Sequence, residues 1–222
     1  MNTQQVAVLG LGRFGVAVAN ELTRLGHEVL AVDRNEQAIR EISQDVTHAV
    51  EADITDEDTL RELGIGALDA AIVAVASNLE ASILSTVVLK RIGVPTIVAK
   101  AGTEIHGAIL EQVGANRVAY PERETGVRLA HSFAAPAVRD YLDVAPGYGM
   151  ARVPVQAEWV NRTLADLDLP GKYRLTIIAL TRGNTVTLNP RAGELIHLGD
   201  DLTIAGLDED LARLPASTLP RR

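Results

Sequence analysis

Residues 6–15 read VAVLGLGRFG, an aliphatic run that leads directly into three spaced glycines. This order predicts a buried strand, a tight turn and the start of a helix. Gly10 permits the turn, Gly12 lets the backbone approach a pyrophosphate, and Gly15 lets the helix pack closely on the strand. Because the first amides of such a helix face an anion, the stretch predicts a phosphate-binding loop.

A second aliphatic run, Val29–Val32, follows the helical pattern and ends on Asp33. A carboxylate in this position accepts hydrogen bonds from the two hydroxyls of a ribose. Strand, glycines, helix, second strand and acid stand in the order of a dinucleotide- or mononucleotide-binding unit. The alternative for Asp33 is a structural cap at the end of the strand.

The composition excludes several classes of protein. With 29 Asp and Glu against 21 Lys and Arg, the net charge is -8, which argues against sequence-independent nucleic-acid binding and against a basic membrane-surface protein. The chain has no cysteine, so disulfides, thiolate metal sites and cysteine nucleophiles are excluded. Met1–Gln5 runs straight into the first strand, and no apolar stretch approaches the roughly 20 residues that span a bilayer. We therefore expect a soluble cytoplasmic protein with no signal peptide and no direct membrane insertion.

Strand-like aliphatic runs alternate with helical patterns as far as Tyr120. The runs are Val6–Leu9, Val29–Val32, Thr47–Val50, Ala70–Ala76, Thr96–Lys100 and Arg117–Tyr120. Continuous aliphatic strands are typical of a parallel sheet that is covered on both faces. The pattern predicts an α/β fold with a doubly wound parallel Rossmann sheet of strand order 3-2-1-4-5-6, whose ligand crevice opens between strands 1 and 4.

The second half changes from long βα units to short strands, which predicts a small α+β domain. The predicted strands are Ala151–Val155, Leu175–Leu180, Thr185–Leu188, Glu194–His197 and Asp201–Ala205, with helices at Thr163–Leu167 and Asp208–Leu214. A turn-rich stretch, 145–149, marks a boundary. The predicted domains are a nucleotide-binding domain over 1–135 with a crossover or dimerisation helix from Pro121, a linker over 136–150, a C-terminal domain over 151–215 and a disordered tail over 216–222.

Two cations are candidates for the phosphates of a nucleotide. Arg13, at a helix N-terminus, opposes the helix dipole unless an anion lies between them. A guanidinium that reaches beyond a diphosphate suits a terminal γ-phosphate. Lys100 closes the fifth strand on the same edge of the sheet. The alternatives are a solvated arginine and a lysine whose stem covers apolar surface while its ammonium stays in water.

Asp33 and Arg34 together bear on the sugar. An arginine here can accept a 2′-phosphate, but the adjacent carboxylate repels it, so NADP is disfavoured and Arg34 is placed over the adenine. Asp53 is a candidate for the adenine edge, with a surface loop acid as the alternative. At the end of the fourth strand, Ser77 or Asn78 can donate to a ligand or cap the next helix.

Glu122 follows the sixth strand on the ligand edge. A carboxylate aimed at phosphate is repelled unless a divalent cation lies between them, so Glu122 is a candidate ligand for Mg²⁺. The alternative is an ordinary glutamate at the start of a helix. His106 is a further candidate contact, in the helix after the fifth strand.

The sequence offers no catalytic constellation. It has no nucleophile elbow, no HExxH motif and no P-loop lysine, and its five histidines are scattered. We therefore expect a protein that is not an enzyme. The alternative is a small NAD-dependent oxidoreductase, for which the C-terminal half offers only His197 as an acid–base group.

The chain resembles the cytosolic regulatory subunits of Ktr and Trk potassium uptake systems, which are built from an RCK (regulator of potassium conductance) N-domain and C-domain. The resemblance spans nearly the whole sequence and rests on residues 8–15, 26–33, 47–50, 114–117 and 121–122, with LGDDLTIAG at 198–206. It implies a homodimer that assembles into an octameric ring on the inner face of the cell membrane, bound to a membrane potassium channel or transporter subunit.

The resemblance also implies a nucleotide. ATP and ADP, rather than NAD(H), would compete for the Rossmann cleft and set the shape of the ring, with Arg13 at the γ-phosphate and Glu122 near a cation between subunits. By position, the nucleotide contacts of the family fall on Gly12, Arg13, Asp33, Asp53, Ile54, Val75, Ala76, Ser77, Lys100, Ala101, Gly102, His106 and Glu122. The loop residues Gly10, Phe14 and Gly15, together with Arg34 and Asn78, complete the candidate site.

Some relatives bind cyclic di-AMP in a cleft between paired C-domains. The counterparts in this sequence are Ile177, Ile178, Asn189 and Pro190. The alternative for the isoleucines is an ordinary place in the core of the domain.

Overall fold

The structure, a computed structural model, describes residues 3–135 and 137–215. The chain divides into two compact units between Glu122 and Arg123. Each unit has its own sheet and its own hydrophobic core.

Strands and helices alternate in the first unit. Its strands are β1 (Gln5–Leu9), β2 (Glu28–Asp33), β3 (His48–Glu51), β4 (Ala70–Val73), β5 (Thr96–Lys100) and β6 (Arg117–Ala119). Its helices are α1 (Arg13–Arg24), α2 (Glu36–Ile42), α3 (Glu57–Glu62), α4 (Leu79–Ile92) and α5 (Glu104–Val113), with a 3-10 turn at Ile65–Ala67. Helix α6 (Pro121–Ala134) begins directly after β6 and continues across the boundary between the units.

The six strands are parallel and lie in the order β3-β2-β1-β4-β5-β6. This confirms the predicted doubly wound Rossmann sheet. Strand residues such as Val8, Leu9, Val73 and Ile97 have no exposed surface, as expected for strands covered on both faces. The winding reverses between β1 and β4, so a ligand crevice lies at the carboxyl ends of these two strands.

Strand β4 ends at Val73, short of the predicted Ala76. The amide of Ala74 still donates to the carbonyl of Leu9 at 2.8 Å. Because β1 itself ends at Leu9, the residues that follow have no partner on that side of β4. They instead form the loop that faces the glycines.

Two glycines of the loop are required by close contacts. Gly10 has φ +98°, and a Cβ there would overlap a methyl group of Val75. A Cβ on Gly15 would overlap the carbonyl oxygen of Gly10 and lie 3.1 Å from the Cβ of Ala74. By contrast, no atom of the described residues lies within 4 Å of a Cβ built on Gly12. The loop is therefore fixed at its two ends and open at its centre.

The second unit is a small α+β domain, as predicted. Its strands are β7 (Asp140–Ala145), β8 (Tyr148–Pro154), β9 (Thr176–Arg182), β10 (Thr185–Leu188) and β11 (Asp201–Leu207). Its helices after α6 are α7 (Leu164–Leu167), α8 (Leu169–Tyr173) and α9 (Asp208–Leu211), with a 3-10 turn at Ala157–Trp159. The sheet is antiparallel, in the order β10-β9-β11-β8-β7.

The stretch expected to be a linker, 136–150, instead contains β7 and the first residues of β8. Its turn-rich part is the hairpin between them, since Ala145 pairs with Tyr148 and Gly147 has φ +76°. Proline and glycine mark tight hairpins as well as domain boundaries, and the local sequence did not distinguish the two.

Two further expectations for this unit differ from the structure. The predicted strand Glu194–His197 is not a strand, because only Leu195 bridges to Thr163 before the chain turns at His197 to Asp200. The last helix ends at Leu211 and not at Leu214. The predicted tail, 216–222, lies outside the described residues.

Buried ion pairs hold the segment that leads into β11. Burial raises the pKa of Asp200, but the guanidinium of Arg182, at 2.9 and 2.8 Å, and the amide of His197, at 2.9 Å, outweigh it and lower the pKa below its usual range. The next residue, Asp201, accepts from Arg139 and Arg152. The acidic pair of the LGDDLTIAG stretch therefore has a structural role in the second unit.

The longest helices of the described chain are α4 and α6, with 14 residues each. Within residues 3–135 and 137–215, no helix combines the length and the apolar character needed to cross a bilayer.

The contact at Gly15 predicts an unusual response to alanine. Helix propensity alone would make Gly15→Ala stabilising by about 1 kcal/mol. Because the added methyl would overlap the carbonyl of Gly10, we expect it instead to lower the free energy of unfolding by about 1–3 kcal/mol. Denaturant unfolding of the whole chain measures the change.

Gly12→Ala is the matched control, because Gly12 has φ -71° and open space around it. We expect a loss below about 1 kcal/mol, the cost of alanine at a helix N-cap. Equal losses in the two variants would contradict the packing argument.

Candidate nucleotide-binding site

The carboxyl ends of the six parallel strands place the candidate residues on one edge of the sheet. Gly10 follows β1, Asp33 ends β2, Asp53 follows β3, Val75 follows β4, and Lys100 ends β5. Glu122 follows β6, in the first turn of α6. The overlap that a Cβ on Gly10 would have with Val75 shows that the glycine loop and the end of β4 are in contact at the switch point.

Helix α1 presents uncapped amides at this edge. Its N-cap is Gly12, which has no side chain to accept from the first turn, and that turn contains no acidic residue. Arg13 is exposed, and its guanidinium makes no salt bridge within the described chain. Free helix amides and a nearby cation together favour an anion such as a phosphate.

Asp33 fixes the glycine loop. Its Oδ2 accepts from the amide of Leu11 at 2.6 Å, and its Oδ1 accepts from the amide of Asn35 at 2.8 Å. Asn35 in turn caps α2 through its side chain. Each carboxylate oxygen keeps a second lone pair for a ribose hydroxyl, so the structural and the ligand roles of Asp33 are compatible.

The adenine candidates lie beyond β3. The Oδ1 of Asp53 accepts from the hydroxyl of Thr55 at 2.7 Å and from its amide at 2.8 Å. These hydrogen bonds, and the charge of Arg34, lower the pKa of Asp53 below its usual range. Arg34 is exposed near this carboxylate. Ile54 is buried in the core, so only its backbone is available to a ligand.

The residues after β4 form one side of the crevice and then cap the next helix. Val75 and Ala76 are half-buried, and Ser77 is exposed. Asn78 is the N-cap of α4, with its Oδ1 accepting from the amide of Ala81 at 3.1 Å. The structure therefore shows the capping role that was left open for Asn78.

Lys100, Phe14 and Glu122 form a charged group beside the first turn of α1. The Nζ of Lys100 lies 2.6 Å from the Oε1 of Glu122 and 5.6 Å from the centroid of the Phe14 ring. The hydrogen bond from Lys100, followed by the charges of Lys100 and Arg13, lowers the pKa of Glu122 despite partial desolvation. Phe14, whose role the sequence did not specify, is thus in cation–π contact with the strand-end lysine.

Glu122 alone does not provide a metal site. Its carboxylate already accepts from an ammonium, and no group of three or more His, Asp or Glu side chains suited to a metal ion occurs in the described parts of the chain. Mg²⁺ needs several oxygen ligands in octahedral geometry. The predicted cation would require oxygen ligands from a second copy or from a bound phosphate.

His106 is buried between α4 and α5. Its Nδ1 accepts from the amide of Gly102 at 3.4 Å, and its Nε2 lies 3.2 Å from the Oγ of Ser82. Burial lowers the pKa of His106, which favours the neutral ring with its proton on Nε2. His106 thus supports the Ala101-Gly102 turn through its hydrogen bond to Gly102, and no pattern in the sequence pointed to Ser82 as its other partner.

Ala101 and Gly102 continue the chain after β5. Ala101 is buried, and its amide donates to the carbonyl of Ala119 at 2.9 Å. Gly102 is exposed. The contact of Ala101 extends the β5–β6 pairing by one residue beyond β5, and its partner Ala119 lies two residues before the start of α6.

The four candidates for cyclic di-AMP lie on neighbouring parts of the second unit. Ile177 and Ile178 are half-buried on β9, and Ile177 packs against the core of the unit. Asn189 follows β10 with φ +47°, and its amide donates to the carbonyl of Ile178 at 2.8 Å. Pro190 is the next residue. This packing fits the core alternative for Ile177 and leaves the ligand role a prediction.

Comparisons with known proteins identify the family. The TrkA-N domain matches residues 6–121 and the TrkA-C domain matches residues 150–216. The chain is 38% identical over 216 residues to the Ktr system potassium uptake protein C of Bacillus subtilis (strain 168), covering 97% of this chain and 98% of the relative. It is 37% identical over 213 residues to the Ktr system potassium uptake protein A of the same organism, covering 96% of each.

The chain therefore belongs to the family of TrkA-N and TrkA-C domain proteins that includes these Ktr potassium uptake proteins. Among solved structures, the GsuK RCK domain shares the fold, with a TM-score of 0.67 and 18% identity over 95% of this chain and 46% of that chain. The chain thus spans about half of that GsuK chain. The GsuK channel has also been solved bound to NAD, and GsuK bound to ADP.

The buried His106 predicts a pH dependence of stability. Its pKa is lowered in the folded chain, while the unfolded chain has the ordinary value of about 6.5. The unfolded state therefore binds more protons below that value, and the free energy of unfolding falls as the pH is lowered from about 7.5 to about 5.5. Urea unfolding across this range measures the slope.

His106→Gln should flatten this dependence, because it removes the group that titrates. His48→Gln, at an exposed histidine of β3, is the control and should keep the slope. An unchanged slope in His106→Gln would contradict the assignment.

Proposed function

We propose that this chain is a nucleotide-sensing regulatory subunit of a Ktr-type potassium uptake system, in which exchange of ATP and ADP changes the shape of a ring of subunits. The observation that carries the proposal is the site itself. The uncapped N-terminus of α1 lies beside Arg13 and Lys100, at the switch point of a Rossmann sheet. Phosphate recognition is the chemistry that these groups supply.

The charges favour a nucleoside di- or triphosphate over a dinucleotide. A pyrophosphate needs only the helix amides and glycines of a Rossmann loop. Arg13 adds a cation beyond them, which opposes the helix dipole unless an additional negative charge is bound. We therefore propose that Arg13 recognises a terminal phosphate, with Asp33 on the ribose and Arg34 and Asp53 at the adenine.

The proposed role is regulatory and not enzymatic. Hydride transfer requires an acid–base residue near the cofactor. In the described parts of the first unit, the buried histidine His106 is engaged by the Gly102 amide and by Ser82. ATP and ADP would instead act by stabilising different arrangements of the ring, and only their difference in affinity for those arrangements can move the equilibrium.

The proposed assembly is a homodimer within an octameric ring that docks on a membrane potassium channel or transporter subunit from the cytoplasmic side. Helix α6 supports a contact between copies. Within its described residues no side chain is buried, and Val127, Leu129 and Phe133 are exposed by 41%, 57% and 78%. Leu129 and Phe133 lie one turn apart on the same face, which suits a second copy of this helix.

Two further ligands complete the proposal. A cation, Mg²⁺ or another, is proposed near Glu122 with further ligands from a second copy or a phosphate. Cyclic di-AMP is proposed at Ile177, Ile178, Asn189 and Pro190. Equilibrium binding of cyclic di-AMP to the wild-type chain and to Asn189→Ala tests the cyclic di-AMP site. Equal binding by both would contradict this site.

Nucleotide binding predicts a specific effect of Arg13→Ala. The variant should lower the affinity for ATP by at least about tenfold, because it loses one charge-assisted hydrogen bond. Thermal-shift and calorimetric titrations with ATP, ADP, NADH and NADPH measure it, and the two ligands seen on GsuK enter as probes. Without nucleotide the variant should be as stable as the wild type, because Arg13 makes no salt bridge in the described chain.

Arg24→Ala is the matched control, since Arg24 lies in the last turn of the same helix and changes the net charge equally. It should leave nucleotide affinity unchanged. Stabilisation by NADH alone, unaffected by Arg13→Ala, would overturn the ATP/ADP proposal and favour the oxidoreductase alternative. A potassium uptake assay with a coexpressed Ktr-type membrane subunit then tests the transport role, which fails if uptake is the same with and without this chain.

A further inference from the structure

Lys100 makes an ion pair at the point where α6 begins. Its Nζ lies 2.6 Å from the Oε1 of Glu122, and the two side chains are 14% and 71% exposed. The lysine is thus held largely inside the edge of the sheet, whereas the glutamate approaches it from solvent. Of the two partners, the lysine is the more buried.

The same ammonium belongs to the phosphate edge. It lies 5.6 Å from the centroid of the Phe14 ring, and Phe14 is the second residue of α1. Arg13, at the start of α1, also acts electrostatically on the Glu122 carboxylate. A phosphate bound at the α1 amides would therefore interact with the same cations as the Glu122 carboxylate. Both groups are anions, so they repel each other.

We infer that, when no divalent cation is bound, Glu122 is an internal competitor for the phosphate, a positioning residue that pairs with Lys100 and is displaced from it when a nucleotide binds. The inference rests on the proposed nucleotide site, whose regulation it describes. Because the nucleotide has to displace Glu122 from Lys100, its binding free energy is reduced by the free energy of that ion pair. By linkage, the occupied site weakens the hold of Lys100 on α6 to the same extent.

Helix α6 is the element that this exchange affects. It is one continuous helix from Pro121 to Ala134. In the last turn, the His131 ring stacks on Tyr141 of β7, with centroids 4.0 Å apart and planes at 6°. The hydroxyl of the buried Tyr141 donates to the Oδ1 of Asp208 at 2.7 Å. Glu122 and His131 therefore belong to the same helix, and the first turns of that helix are where we expect the effect of a change at Glu122.

The variant Glu122→Gln tests the competition, because it keeps the size of the side chain and removes its charge. We expect it to bind ADP about threefold more tightly than the wild type, the worth of a partly exposed ion pair. The titration is calorimetric, on the full chain, with EDTA present so that no divalent cation takes part. Simple damage to the site would lower the affinity, so a gain distinguishes competition from a structural role.

Glu124→Gln is the matched control. It makes the same change of charge in the same turn of α6, at an exposed side chain, and should bind ADP as the wild type does. Equal gains in both variants would assign the effect to net charge and overturn the inference.

Hydrogen exchange over residues 121–134 tests the coupling. ADP should speed exchange in the first turns of α6 in the wild type and in Glu124→Gln. In Glu122→Gln exchange should already be fast and should not respond. If Arg13→Ala weakens ATP binding while Glu122→Gln binds ADP no more tightly than the wild type, this inference fails and the proposed function stands. If the wild type binds no ADP, both fail.

Discussion

The ligand edge of the first unit depends on one close contact, between helix α1 and the turn that follows β1. At Gly15 a side chain would overlap the carbonyl of Gly10, and at Gly10 it would overlap Val75. The missing side chains let the helix approach the sheet closely enough to point its first amides into the crevice between β1 and β4. The positions of Arg13 and Phe14, and with them the candidate phosphate site, follow from this approach.

The charged residues at the same edge differ in whether they already have partners. Asp33 uses both oxygens to hold the glycine loop and the start of α2, so it is a framework residue before any ligand arrives. Arg13 is exposed without a salt bridge among the described residues, and Lys100 is paired with a carboxylate from another helix. Under the proposed function, a bound anion would meet one cation without a salt bridge and one that is already shared with Glu122.

The second unit is stabilised in a different way. Its antiparallel sheet is short, and buried acids contribute to its order, with Asp200 held by Arg182 and Asp201 by Arg139 and Arg152. Helix α6 joins this unit through the stack of His131 on Tyr141.

The sequence alone determined the Rossmann sheet, its strand order and the glycine loop, because aliphatic runs, glycine spacing and the acid after the second strand are local signals. It also placed the candidate ligand residues on one edge, since the carboxyl ends of parallel strands meet there. Only the tertiary structure decided the partners. Nothing local distinguished a hairpin at 145–149 from a linker, or joined Lys100 to Glu122, His106 to Ser82 and His131 to Tyr141. The members of each pair are ten or more residues apart, and only the packing of the folded chain brings them together.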